Sequence, residues 1–165
     1  MVSTQLAGNP VTLAGDFPEV GSIALDFIAI QRDLSEFTLD HFKGKRKILN
    51  IFPSIDTDVC AISVKTFNEK AAGLDNTQVI CLSHDLPFAH KRFCADQGIE
   101  NLITGSLYRD PAFARSYGVG ILDGPLTGLT ARAVVVLDEN NVVLHAQLVP
   151  EITQEPDYQA ALAVI

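Results

Sequence analysis

The sequence is short of positive charge: 12 Lys and Arg stand against 20 Asp and Glu, a formal net charge of -8. A nucleic-acid partner needs basic side chains gathered on one face. The chain offers only Lys43-Gly44-Lys45-Arg46-Lys47, a short turn ahead of an apolar strand, so nucleic-acid binding is set aside. An acidity of this size serves solubility. Also lacking is any run approaching the roughly 18 apolar residues of a membrane-spanning helix. The opening "MVSTQLAGNPVTLAGDFP" has neither a basic region nor an apolar stretch of signal-peptide length, and a cytoplasmic location is expected. Repeats, low-complexity tracts and linker-like stretches are missing too. Residues 1–165 are therefore read as one domain, long enough to enclose its own core.

Cysteine is scarce. Cys60, Cys81 and Cys94 are too few for a structural disulfide framework in a reducing compartment, and serve there as core filler, metal ligands or redox groups. No C-x-x-C pair is present, which argues against a reductase working through neighbouring thiols. The glycine-rich "YGVGILDGPLTGLT" lacks P-loop or dinucleotide-binding spacing. The Ser and His residues suggest no catalytic triad.

What the chain does have is an alternation of strand and helix patterns. Residues 2–14 read as a hairpin turning at Gly8-Asn9-Pro10. "DFIAIQ" suggests a strand, and "LSEFTLDHFKG" a loop with a short helical turn. "KILNIF" (47–52) is a buried strand stopped by Pro53. Val64, Phe67, Ala71 and Leu74 then recur at helical spacing, with Cys60 one turn earlier on the same stripe and Gly73 near the end. "QVICLS" (78–83) is a second buried strand. A helix follows from about Leu86 to Gln97, with Pro87 in its first turn and Gly98 closing it. "NLITGSL" is a short strand and "DPAFARSYG" a short helix. "RAVVVLDENNVVLHAQLV" is a hairpin about its DENN turn, and "PDYQAALAVI" a last helix. The order implies an α/β architecture with a central mixed sheet, the thioredoxin-like arrangement, with an N-terminal β-hairpin.

Within "PSIDTDVC", Cys60 falls in the first turn of the helix that follows Pro53. Unpaired N–H groups and the positive end of the dipole gather there, and both favour a thiolate. Asp56 and Asp58 oppose that effect unless they turn out to water, where they are screened. Thr57, three residues before Cys60, can bring its hydroxyl to the same small volume. Arg132 opens an apolar strand and is either a salt-bridged residue at the strand end or a fixed positive charge for Cys60. Cys60 taken alone is as well read as a small hydrophobe of the buried stripe. The Pro-x-x-x-Thr-x-x-Cys spacing at a strand-to-helix junction favours a reactive thiol.

Cys81, inside an apolar strand, is read as buried packing. Cys81-x-x-His84 with His90-x-x-x-Cys94 has zinc-like spacing, but a strand and a helix would have to converge on one tetrahedral point. His84 and His90 are expected to face solvent. The rivals to a redox enzyme are a binding module with an inert Cys60 and a zinc-stabilised domain.

These residues carry a resemblance. "PSIDTDVC" with Pro53, Thr57 and Cys60, "SHDLPFAHKRFC" with Cys94, "GNPVTLAGDFPEVG", "DPAFARSYGV", "GLTARAVVVLDENNVV" and "EPDYQAALAV" together resemble the atypical two-cysteine peroxiredoxins over nearly the whole chain. The resemblance implies a thioredoxin-dependent peroxidase acting on hydrogen peroxide and alkyl hydroperoxides, with no cofactor and no metal. It implies that Cys60 attacks the peroxide and becomes a sulfenic acid. Thr57 and Arg132 then hold the thiolate and polarise the peroxide, Pro53 shields the site, and Cys94 resolves the sulfenic acid as a Cys60–Cys94 disulfide. Leu126 and its loop are expected to border the peroxide pocket. Homodimerisation and recycling by thioredoxin are implied on the same ground. A disulfide needs Cα atoms within about 7 Å, so both helix ends are expected to loosen around residues 57–62 and 88–96 during turnover.

Overall fold

The computed structural model describes residues 3–165. The chain opens with a hairpin, β1 (Thr4–Leu6) and β2 (Asn9–Val11), paired antiparallel. The turn is Ala7-Gly8, not Gly8-Asn9-Pro10: both residues have positive φ (49° and 82°), and Asn9 already pairs with Leu6. Two left-handed residues are what a tight two-residue hairpin requires, and Pro10 is tolerated on so short an edge strand. The first residue of the predicted hairpin, Val2, lies outside the described residues.

Next come β3 (Leu13–Ala14), β4 (Ala29–Ile30), β5 (Glu36–Phe37), a 3-10 turn over Leu39–Phe42, and β6 (Arg46–Ile51). The helix α1 spans Asp58–Ala71, followed by β7 (Thr77–Ser83), α2 (Pro87–Gln97), β8 (Ile103–Ser106) and the one-turn α3 (Phe113–Ser116). The chain ends with β9 (Gly120–Ile121), β10 (Ala133–Leu137), β11 (Val143–Leu148) and α4 (Tyr158–Leu162). Seven strands form one sheet in the order β11-β10-β6-β7-β8-β4-β5. The pairs β6–β7 and β7–β8 are parallel and the remaining ones antiparallel, so the predicted mixed sheet is present. Sequence periodicity missed the small β3–β9 pair, because two-residue strands carry no repeat to read.

The sheet divides the core by side-chain parity. Leu49, Ile51, Ile80, Leu82, Ala133 and Val135 join Phe113 and Tyr117 on one face. Ile48, Phe52, Val79, Cys81, Val134 and Val136 join the inner stripes of α1, α2 and α4 on the other. All three cysteines lie in that second cluster, buried and unpaired. Leu126 packs against the first cluster, across the sheet from Cys60. Among the described residues no helix is long and apolar enough to cross a membrane.

Candidate active site

The strand β6 delivers Phe52, which is 0% exposed and joins the second cluster, and after it Pro53, also buried. Thr130 Oγ1 donates to the Phe52 carbonyl at 2.8 Å and fixes where the strand ends. The backbone then turns through residues 54–57 into α1, whose N-cap is Thr57 in an extended conformation. Cys60 is the third residue of α1 and is 0% exposed. It lies in the first turn of α1, where the helix's unpaired N–H groups gather. Asp56 and Asp58 are exposed, as their screening required, and Asp56 pairs with Arg92 of α2.

Arg132 supplies the fixed charge. It stands two residues before Val134 in the β10 alternation, so it points to the face that holds α1. Its Nη2 donates to Cys60 Sγ at 3.2 Å and its Nε to the Ile152 carbonyl at 2.9 Å. It is 2% exposed and no carboxylate pairs with it among the described residues, so it is not a strand-end salt bridge. Its Nη1 is buried with no hydrogen-bond partner among the described residues. A buried guanidinium donor left unmatched is costly unless something accepts from it.

Thr57 does not reach the sulfur here. Its hydroxyl donates to the Ser54 carbonyl at 2.9 Å and so tightens the turn that leads into α1. Two polar residues that sequence reasoning did not single out complete the surroundings of Cys60. Asn50 Nδ2 donates to Ser63 Oγ at 3.2 Å, and Ser63 Oγ donates to the Cys60 carbonyl at 2.9 Å. Asn50 shares the inward parity of Ile48 and Phe52, the one signal that could have found it.

The other two thiols differ from Cys60. Cys81 accepts only a weak contact from Asn50 at 3.6 Å, and burial pushes its thiol up to about 12. Cys94 lies on the inner face of α2, where burial also raises it and the Arg32 guanidinium opposes the rise. His90 corrects an expectation: it is 0% exposed rather than solvent-facing. The inward stripe of α2 is Pro87, His90, Phe93 and Cys94, so the histidine occupies a core position at helical spacing. Its Nε2 lies 2.8 Å from Ser83 Oγ, and burial holds it down to about 4, opposed by the Asp85 charge. His84 is half-buried. Among the described residues no group of three or more His, Cys, Asp or Glu side chains is placed to hold a metal ion.

A buried thiol in the first turn of a helix, with an arginine hydrogen-bonded to its sulfur, is the geometry that stands beside the comparisons with known proteins. A family model described as redoxin covers residues 13–162. The thiol peroxidase of Leptospira interrogans serogroup Icterohaemorrhagiae serovar copenhageni is 54% identical over 165 residues, covering 99% of this chain and 96% of the relative. The chain belongs to the redoxin family, as a thiol peroxidase. Among solved structures, a peroxiredoxin-like protein from Aquifex aeolicus superposes with a TM-score of 0.92 at 40% identity, covering 98% of this chain and 95% of that one. A thiol peroxidase from Chromobacterium violaceum has a TM-score of 0.91 at 22% identity, covering 98% and 94%, and shows the shared fold. In this redoxin the thioredoxin-like sheet sets Cys60 and Arg132 on the same face from strands and helices far apart in sequence.

Proposed function

We propose that this peroxidase reduces hydrogen peroxide and alkyl hydroperoxides at Cys60. The thiolate attacks one peroxide oxygen, an S–O bond forms as the O–O bond breaks, and the second oxygen leaves as an alcohol or water after taking a proton. Arg132 holds the thiolate through Nη2 and offers Nη1 to the oxygen on which charge develops. The Thr57 hydroxyl, with its proton committed to Ser54, keeps lone pairs free to accept from the peroxide O–H. Pro53 excludes water, and the apolar shell of Phe52, Pro53 and Ile55 suits an alkyl substituent. Cys94 then displaces hydroxide from the Cys60 sulfenic acid to give an intrachain disulfide. Thioredoxin restores both thiols by exchange. The working form is a cytoplasmic homodimer.

The observation that carries this reading is the 3.2 Å hydrogen bond from Arg132 to Cys60 Sγ, beside a guanidinium nitrogen with no hydrogen-bond partner among the described residues. The test is peptide mapping by mass spectrometry after one equivalent of hydrogen peroxide is added to reduced protein. The expected product is a Cys60–Cys94 linkage with Cys81 free. A Cys60–Cys81 linkage would overturn the role of Cys94, and three unmodified thiols would overturn the role of Cys60.

A further inference from the structure

Asp85 lies in the turn between β7 and α2, next to neither cysteine in sequence, and its carboxylate is engaged on two sides. Toward the approach to Cys60, Oδ1 accepts from Ser54 Oγ at 2.7 Å and Oδ2 from the Ile55 backbone N–H at 2.7 Å. Toward α2, Oδ2 accepts from Ser83 Oγ at 2.6 Å, and the same Ser83 oxygen meets His90 Nε2 at 2.8 Å. Ser83 has one hydroxyl proton and gives it to Asp85, so His90 must donate from Nε2, which assigns its tautomer. The relay therefore runs from α2 through His90 and Ser83 to Asp85, and on to residues 54 and 55. Further bonds seat Asp85 itself: its N–H donates to Ser83 Oγ at 3.3 Å and its carbonyl accepts from Ser106 Oγ.

A parallel tie, Asp56 to Arg92, joins the same two segments on the surface. Both of its side chains are more than half exposed, so water screens it and it contributes little. The Asp85 carboxylate is only 12% exposed, and its three bonds are charge-assisted in a largely dry setting. That makes it the stronger of the two links between the peroxidatic approach and the resolving helix.

We infer that Asp85 is a positioning residue which clasps residues 54–55 to α2, and so favours the peroxide-reactive arrangement over the loosened one in which Cys60 and Cys94 join. The inference rests on the proposed roles of those two cysteines. In the resolving step the Cys94 sulfur forms the S–S bond, the Cys60 S–O bond breaks, and hydroxide leaves with the Cys94 proton as water. Neither segment can move toward the other while one carboxylate holds both. Breaking the clasp therefore has opposite effects on the two half-reactions. It slows attack on peroxide, because the first turn of α1 is less firmly set, and it speeds disulfide formation.

The test is Asp85→Asn, which keeps the shape but turns one acceptor into a donor facing Ile55 N–H and Ser83 O–H. Rapid quenching of reduced protein mixed with hydrogen peroxide, with a cyclic 1,3-dione to trap sulfenic acid and an alkylating agent to trap thiols, resolves the two steps by mass. The variant is expected to form the disulfide about tenfold faster from the sulfenic acid and to react with peroxide several-fold more slowly. Ser83→Ala cuts only the arm to α2 and is expected to speed disulfide formation in the same direction; it carries the test if Asp85→Asn does not fold. Disulfide formation unchanged or slowed in the folded variants would overturn the clasp. Absence of a Cys60–Cys94 disulfide in the unaltered protein would instead overturn the roles of the cysteines.

Discussion

Arg132 shows how much one side chain can be read in advance and how much cannot. Its parity with Val134 and Val136 is visible in "RAVVVL" and puts it on the α1 face. What the string does not show is that its guanidinium is shared between Cys60 Sγ and the Ile152 carbonyl, 72 and 20 residues away. That double engagement needs a planar fork. Arg132→Lys keeps the charge and cannot serve both partners. The second-order rate constant for peroxide is expected to fall by roughly 100-fold or more, with the far-ultraviolet circular dichroism unchanged. A loss under threefold would show that charge alone suffices. Asp85 escaped notice for a related reason, because its partners at residues 54 and 55 come close only once β6 and β7 have paired.

At the scale of elements, the long periodic segments were legible, and so were the short β4, β8 and α3, while other two-residue strands were not. The helix around Cys60, the helix closed by Gly98 and the strands β6, β7, β10 and β11 follow their hydrophobic spacing. By contrast, β5 is two residues long, reads as loop in the sequence, and depends on its pairing with β4. The inner face of α2 was misjudged because a histidine there reads as polar. Its consequence is a pH dependence. His90 is held well below its ordinary value, so the unfolded chain binds more protons than the folded one between pH 6.5 and about 4. The stabilisation from keeping it neutral is fully present above pH 6.5 and is lost as the pH falls through that window, at most about 3 kcal/mol. Asp85 and Asp56 favour the charged ring and Arg32 opposes it, so the net direction is that of burial. In His90→Gln, urea unfolding between pH 7 and 4.5 is expected to lose less stability than in the parent. An equal loss would place the titration elsewhere.

Over the whole molecule, the active site depends on both ends of the described chain. Glu151 accepts from the N–H groups of Thr153, Gly8 and Ala7 and from the Thr153 hydroxyl, which holds its carboxyl down to about 2. Gln5 exchanges backbone hydrogen bonds with Pro150 and Ile152 on either side. The N-terminal hairpin thus braces the carbonyl that aims Arg132. Glu151→Ala is expected to lower peroxidase activity about tenfold, more than it lowers the melting temperature in proportion, because the hairpin loses its anchor while the sheet stays whole. Unchanged activity would mean that Ile152 is held without it.

The same bracing shapes the rim of the sheet. At one margin β5 is two residues long. At the other, residues 21–24 bond to residues 141–143 at the start of β11, and Gln5 bonds to residues 150 and 152 just past its end, so the chain is tied down on either side of that strand. Fibril growth needs long, flat, unpaired margins on which further chains can stack. A peroxidase, whose work exposes it to oxidants, is thereby left with little margin on which amyloid could begin.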